Sequence, residues 1–109
     1  MAIYTVAIQS AAVAGREADY EAWYNNIHMG EVLQVAGFQS GQQFRLPEKS
    51  ADGHTHVAIF RLESDDPMAD LVTLGETFAS GKMTPTDTLD TAVEATSQVL
   101  TPTGDAQTR

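Results

Sequence analysis

The sequence predicts an α+β fold whose six elements follow one another in the order β-α-β-β-α-β. Four segments alternate residues with the two-residue period of a strand, and two segments repeat apolar residues at helical spacing. The chain of 109 residues fits one domain with a small core. Because crossovers of this order are right-handed, we expect a four-stranded antiparallel sheet with both helices on one face, the ferredoxin-like arrangement.

The first half of the chain is predicted to hold two strands and one helix. Residues 2–10 alternate and are rich in β-branched side chains, which predicts the first strand. Residues 16–29 carry Glu17, Asp19 and Glu21 in their first turns, where the helix dipole favours acidic side chains, and predict the first helix. We expect Gly30 to weaken or bend this helix and Gly37 to end a short further turn. The second strand is predicted over residues 38–46.

The second half repeats the pattern and closes the sheet. Residues 47–53 carry turn residues, so the third strand, residues 54–63, should form a hairpin with the second. The second helix is predicted over residues 66–80, with an aspartate N-cap and a proline at the first helical position. A polar loop should then lead to the last strand, residues 92–100. The domain is predicted to end at residue 101 (domain 1–101), before a flexible tail over 102–109.

The charge balance limits the classes of partner. Six basic residues stand against fifteen acidic ones, for a net charge of −9. This disfavours nucleic acid and anionic membrane surfaces, so a small neutral or cationic molecule is the easier partner. There is no cysteine, which excludes thiolate chemistry and disulfides. No apolar run reaches the length of a membrane span, and the N-terminus lacks a basic region before its apolar stretch, so we expect a cytoplasmic protein.

The face of the sheet opposite the helices needs cover. Each predicted strand has a mixed second face that includes apolar side chains, and small domains do not leave such a face open. We therefore expect a second copy of the chain to pack there, which would give a two-fold homodimer.

The segment from Tyr20 to Glu31 holds the only tryptophan, two of the three tyrosines, and a histidine three residues before a glutamate. On a regular helix its larger side chains share one side. These side chains are Tyr20, Trp23, Tyr24, Ile27, His28 and Glu31. This row of side chains begins with aromatic residues and ends with the titratable His28 and Glu31. A carboxylate on a buried face needs a partner or a cavity. The sequence therefore predicts a small-molecule site under this helix.

Three residues of this segment are candidates for catalysis. His28 can act as a general acid/base near neutral pH, Glu31 can hold its tautomer, and Tyr24 can donate to a substrate oxygen. The alternative is structural: His28 would cap a helix end, and Glu31 would pair with an arginine. The predicted substrate-binding residues are Tyr20, Trp23, Ile27, Ser40, Gln42, His56 and Thr96. The last four lie on strands, and they can contact the substrate only if their faces of the sheet point to the helices.

Metal and cofactor binding are not predicted. His54 and His56 lie two apart on the third strand and could join His28 around a metal, but nothing in the pattern brings the three together. A solvated His54 in the hairpin is the alternative. We therefore expect no metal and no cofactor.

The motif of this segment resembles a known group of proteins. It consists of the aromatic pair Trp23-Tyr24 followed directly by Asn25, then a histidine, a glutamate three residues on, and Gly37-Phe38 entering the second strand. This pattern is similar to that of the dimeric α/β-barrel superfamily, most of all its EthD-like and related small proteins. The resemblance implies a ferredoxin-like domain whose sheet pairs with that of a second copy to form a barrel. It also implies a ligand cavity between each sheet and its helices, with His28 and Glu31 at the matching positions.

The superfamily hosts cofactor-free oxygenases, polyketide cyclases, isomerases, lyases and haem-binding enzymes, so the resemblance indicates a range of functions. The oxygenase pattern is matched only in part, by Trp23-Tyr24-Asn25. The haem-degrading branch needs a histidine on the second helix, and residues 66–81 contain none. We expect a cofactor-independent enzyme of isomerase, lyase or cyclase type acting on an apolar oxo or aromatic compound. The alternatives are a non-catalytic small-ligand binding or accessory protein and a cofactor-free monooxygenase.

Overall fold

The predicted strands form one antiparallel sheet in the computed structural model, which describes residues 1–109. The strands are β1 (Ala2–Ser10), β2 (Phe38–Arg45), β3 (His56–Ser64) and β4 (Thr96–Leu100), in the order β2-β3-β1-β4. The ferredoxin-like α+β prediction is therefore confirmed. The last strand begins four residues later than predicted, because the preceding residues turn back through a backbone hydrogen bond from Val93 to Asp90.

Helical structure covers two stretches of the chain. The first is a continuous run of α1 (Glu17–Trp23), a π-helical segment (Tyr24–His28) and α2 (Met29–Val32). The second is α3 (Pro67–Ala79). Helical structure continues through Gly30, where we expected a weaker or bent helix, and the irregularity lies before it, in the π-helical segment. A single exposed glycine costs a helix only about 1 kcal/mol, which the packing of the flanking turns offsets.

The predicted boundaries of α3 are confirmed by its caps. The Asp66 carboxylate accepts a hydrogen bond from the backbone N–H of Ala69 at 3.2 Å, as an N-cap should. Beyond its C-terminal end, Gly81 adopts a φ of +79°, which a side chain would disfavour. These two signals are local, which is why the sequence carries them.

Both helical stretches pack on the same face of the sheet and bury the core there. In the β1–β3 register Val6 faces Phe60, and the neighbouring pairs alternate between the two faces. The buried hydrophobic strand residues on the helix side are Val6, Phe38, Ala58, Phe60 and Leu62. On the opposite face Phe44 remains 44% exposed and Ile59 is half-buried, so this face keeps apolar surface.

The remaining features bear on the predicted domain limits. Residues 101–109 are exposed and contain no helix or strand. The domain boundary at 101 and the flexibility of 102–109 stay predictions. None of the helices combines the length and the hydrophobicity that crossing a bilayer requires.

Candidate functional site

A cavity of about 210 Å³ lies between the sheet and the helices. Ten of its fourteen lining residues are hydrophobic. The first helical stretch contributes Tyr20, Trp23, Tyr24 and His28, and α3 contributes Leu71 and Phe78. Strand β1 forms the floor through Ile8 and Ser10, and the exposed Ser97 of β4 stands at one side. The structure thus places four of the predicted site residues around one apolar space.

The π-helical segment brings Trp23 and His28 together. In a regular α-helix, residues five apart point about 140° away from each other. Here the two rings stack, with centroids 4.6 Å apart and planes inclined by 17°. The Tyr24 ring meets the same imidazole edge-on at 4.7 Å. One extra residue in the turn therefore aligns side chains that α-helical geometry would separate, and such π-helical turns occur often at functional sites.

His28 is buried among aromatic rings without a hydrogen bond to hold it. Its side chain is 8% exposed, and Phe78 closes a further side at 5.6 Å between centroids. Nδ1 is fully buried and has no partner, whereas Nε2 is not enclosed in this way. Burial lowers the pKa of His28 from 6.5 to about 4, against a smaller opposing effect of the Glu31 charge. The imidazole is therefore neutral at pH 7, and Nε2 is the nitrogen that a ligand can reach.

Glu31 does not contact His28 as expected. Its carboxylate oxygens accept hydrogen bonds from the backbone N–H of Thr84 at 3.0 Å and from the Thr84 hydroxyl at 2.9 Å. The Thr84 carbonyl in turn accepts from the indole N–H of Trp23 at 3.3 Å. We call these three residues the Thr84 clamp. The clamp ties the loop after α3 to the ring against which His28 stacks, so Glu31 acts on His28 through its charge and through this loop.

The two tyrosines of the cavity differ in their hydrogen bonding. The Tyr20 hydroxyl shares a hydrogen bond of 2.6 Å with Ser10 Oγ on the cavity floor. Burial raises the pKa of both phenols, and only in Tyr20 does a side-chain hydrogen bond oppose that effect. Tyr24 therefore keeps its proton at neutral pH, and its hydroxyl is free of a side-chain partner that would compete with a ligand.

Two predicted substrate-binding residues of β2 lie on the wrong side of the sheet. Phe38 pairs with Leu62 on the helix side, as the alternation requires, but a bulge follows between Phe38 and Ser40. Ser40 then pairs with Arg61, and Gln42 with Ile59. The bulge shifts the alternation by one residue, so Ser40 and Gln42 face away from the cavity and line a depression on the opposite face.

Two further predicted residues also lie outside the cavity. Thr96 donates a hydrogen bond to the Gln9 side chain at 3.2 Å and points to the opposite face, while its neighbours Ala95 and Ser97 line the cavity. Ile27 is 40% exposed, because the π-helical segment turns it away from the core. The prediction that these two residues touch the substrate is not supported by their placement.

His56 belongs to a polar network beside the cavity. It is fully buried, and its Nε2 donates to the Glu21 carboxylate at 2.7 Å, while Nδ1 lies 2.7 Å from the Thr55 hydroxyl. Arg45 donates to the same Glu21 oxygen at 2.6 Å. Arg45 and then His56 lower the pKa of Glu21 to about 2. His56 packs edge-on against Tyr20 at 5.1 Å and supports the cavity wall without lining it.

The three histidines have separate environments. His54 is 2% exposed, and its Nε2 lies 2.8 Å from the Glu94 carbonyl, so it joins the hairpin to the loop before β4 and is not solvated. No group of three or more histidine, aspartate or glutamate side chains converges in a way that could hold a metal ion.

The sequence did not single out several residues of the site. Phe78 and Leu71 lie within the predicted second helix, and Leu89 and Thr84 lie in the predicted polar loop, which has no repeating pattern. The one signal for Phe78 was its place on the helix face that packs toward the first helix. Thr84 had no signal, because its role depends on a contact 53 residues away along the chain.

The chain resembles solved structures in fold and at low sequence identity. No protein-family model and no curated protein sequence matches it. A provisionally assigned monooxygenase from Shewanella loihica PV-4 has a TM-score of 0.60 at 18% identity, over 95% of this chain and 97% of that chain. An uncharacterized NIPSNAP domain protein from Burkholderia xenovorans has a TM-score of 0.57 at 15% identity, over 97% and 99%. Rv0793 from Mycobacterium tuberculosis has a TM-score of 0.52 at 15% identity, over 97% and 100%.

These neighbours show the fold of the chain. They are small ferredoxin-like α+β proteins, and this chain shares that fold over nearly its whole length. The fold agrees with the resemblance to the dimeric α/β-barrel superfamily. The closer resemblance to EthD-like proteins stays a prediction.

Proposed function

We propose that the chain is a cofactor-independent enzyme that uses His28 for acid/base chemistry on a small apolar oxo or aromatic compound. The observation that carries the proposal is a neutral, buried imidazole at an apolar cavity, with an unengaged phenol 4.7 Å from it between ring centroids. Titratable groups with displaced pKa values in a concave apolar site are the usual mark of acid/base catalysis.

The first chemical step is removal of a proton from a carbon next to a carbonyl. The C–H bond breaks, its electron pair moves toward the carbonyl oxygen, and Nε2 of His28 takes the proton. The Tyr24 hydroxyl stabilises the developing oxyanion by a hydrogen bond. Burial makes the imidazole a weaker base and the imidazolium a stronger acid than usual, so the first transfer depends on the Tyr24 hydrogen bond and the proton is returned readily, either to another carbon or to a leaving group. Isomerases, lyases and cyclases share this step.

Deuterium exchange tests the step without knowledge of the natural substrate. Cyclohexanone in D₂O should incorporate deuterium next to its carbonyl faster with the protein than without it, as followed by NMR. His28→Ala should lower the exchange rate by about a hundredfold or more, and Tyr24→Phe should also lower it. Ser40→Ala, on the far face of the sheet, is the matched control and should leave it unchanged. Exchange that persists in His28→Ala would remove His28 from the mechanism.

A non-catalytic binding role is the second candidate. The observation that favours it is the lack of any hydrogen bond that would orient His28, together with the hydrophobic lining of the cavity. This candidate predicts micromolar binding with the ligand recovered intact, measured by Trp23 fluorescence and mass spectrometry.

The oxygenase alternative has one comparison in its favour. The Shewanella protein carries a provisional monooxygenase name. In this chain Trp23 and Tyr24 line the cavity but Asn25 is exposed, so only part of the expected Asn-Trp-Tyr set surrounds the ligand space. Oxygen consumption with an aromatic test compound would favour this alternative over proton transfer alone.

We also propose that a second copy covers the open face of the sheet. The exposed Phe44 and the half-buried Ile59 give this face apolar surface that a two-fold dimer would bury.

A further inference from the structure

We infer that the cavity selects the neutral form of a single-ring phenol or ketone and rejects the corresponding anion. This inference rests on the cavity of the proposed function being a ligand site, but it concerns binding and does not require turnover. Three properties of the site carry it: the volume, the absence of positive charge on the lining, and the protonation state of the polar groups.

The volume limits the ligand to about one ring. The cavity holds about 210 Å³. An apolar protein cavity of roughly 150 Å³ accommodates benzene. The space here therefore accepts one six-membered ring with a few substituent atoms, and a fused tricyclic compound would extend beyond it.

No cation lines the cavity. The six basic residues of the chain are Arg16, Arg45, Lys49, Arg61, Lys82 and Arg109. None of them is among the lining residues, and the whole chain carries a net charge of −9. The charge that acts on His28 is the carboxylate of Glu31, which is negative. An anion would thus lose its hydration without gaining an opposite charge, which is costly in an apolar site.

The polar groups of the cavity suit a neutral hydroxyl or carbonyl. The imidazole of His28 is neutral, because burial lowers its pKa to about 4. A ligand hydroxyl can donate to Nε2, and a ligand carbonyl can accept from the Tyr24 hydroxyl, without any full charge entering the site. An arginine or lysine on the cavity lining would reverse the preference for the neutral ligand over its anion.

The test compares two probes of nearly the same shape. The hydroxyl of 4-nitrophenol ionises near neutral pH, whereas 4-nitroanisole carries a methyl ether and cannot ionise. Binding of both is measured by titration calorimetry at several pH values above 6, where His28 stays neutral. We expect the dissociation constant of 4-nitrophenol to rise about tenfold or more as it ionises, and that of 4-nitroanisole to stay constant.

A charge variant at the cavity side gives a second test. Ser97 is exposed and lines the cavity, so a longer side chain can be placed there. Ser97→Arg should strengthen binding of the 4-nitrophenolate ion, whereas the uncharged Ser97→Gln should not. Equal or tighter binding of phenolate by the wild type, or failure of both probes to bind, would overturn the inference. Tight binding of phenolate would leave the acid/base step untouched, failure of both probes would also count against the ligand cavity, and the deuterium exchange tests the acid/base step by itself.

Discussion

The buried imidazole of His28 should make the free energy of unfolding depend on pH between about 4 and 6.5, and replacing His28 should remove this dependence. In the unfolded chain the pKa is the ordinary 6.5, and in the folded chain it is about 4. As the pH falls below 6.5, the unfolded state gains a proton that the folded state does not accept. The free energy of unfolding therefore decreases until the pH reaches about 4. The whole decrease is about 3 kcal/mol, since each pH unit between the two pKa values is worth about 1.4 kcal/mol.

The substitution His28→Phe removes the titration and keeps an aromatic ring against Trp23 and Tyr24. Urea unfolding followed by circular dichroism, from above pH 6.5 down to 4.5, measures the effect. Glu21, whose lowered pKa takes effect mainly below 4.5, is present in both proteins, so its contribution cancels in the comparison. Over this window the wild type should lose about 2–3 kcal/mol more than the variant. At pH 7 the variant should be at least as stable, because it no longer buries an unpaired nitrogen.

Parallel pH profiles for the wild type and His28→Phe would refute the reasoning, because they would show that His28 titrates alike in both states. His28→Leu serves as a second variant in case the larger ring of phenylalanine does not fit. An NMR titration of the wild type should agree, with the His28 imidazole still neutral at pH 5.

Three further predictions follow from other contacts of the site and the sheet. Glu31→Ala should weaken binding of 4-nitroanisole by about tenfold, because the Thr84 clamp is lost. Glu31→Gln keeps an acceptor oxygen for Thr84 and should retain most of the affinity. Calorimetry measures the affinity of both variants, and equal losses would show that the Glu31 charge matters and the clamp does not. Ile59→Asp should prevent dimer formation in sedimentation velocity without changing the circular dichroism spectrum, and a monomeric wild type would contradict the proposed dimer. Glu21→Gln should flatten the thermal stability profile between pH 4.5 and about 2, because the lowered pKa of Glu21 contributes stability that is present above 4.5 and lost as the pH falls through 2.

Much of the fold could be predicted because its signals are local. The Asp66 cap and Gly81 mark the ends of α3 within one turn of the helix, and the structure agrees with both. The alternation of residues 2–10 predicts β1 with both of its ends, since the strand runs from Ala2 to Ser10. The placement of Trp23 and Tyr24 at the cavity also follows from helical spacing, because Trp23 precedes the π-helical segment and Tyr24 is its first residue, so no extra residue has yet been added.

The site was predicted less completely, because two irregularities each add one residue to a regular period. The π-helical segment brings His28 against Trp23 and sends Glu31 to Thr84 in place of His28. The bulge in β2 moves Ser40 and its successors to the opposite face of the sheet. A prediction from regular spacing assumes that the period continues unchanged. It therefore assigns the wrong side-chain direction to residues that follow an inserted residue.

The sequence by itself determined the order of the elements, the antiparallel sheet and the aromatic segment that would border a cavity. These follow from residue periodicity, caps and turn residues, which act over a few positions of the chain. Only the tertiary structure decided which face each later residue presents, how His28 is held, and that Glu31 joins the helix to the loop at Thr84. The irregular turn and the bulge are stabilised by the packing of segments that are distant in the chain, and no pattern of neighbouring residues predicts that packing.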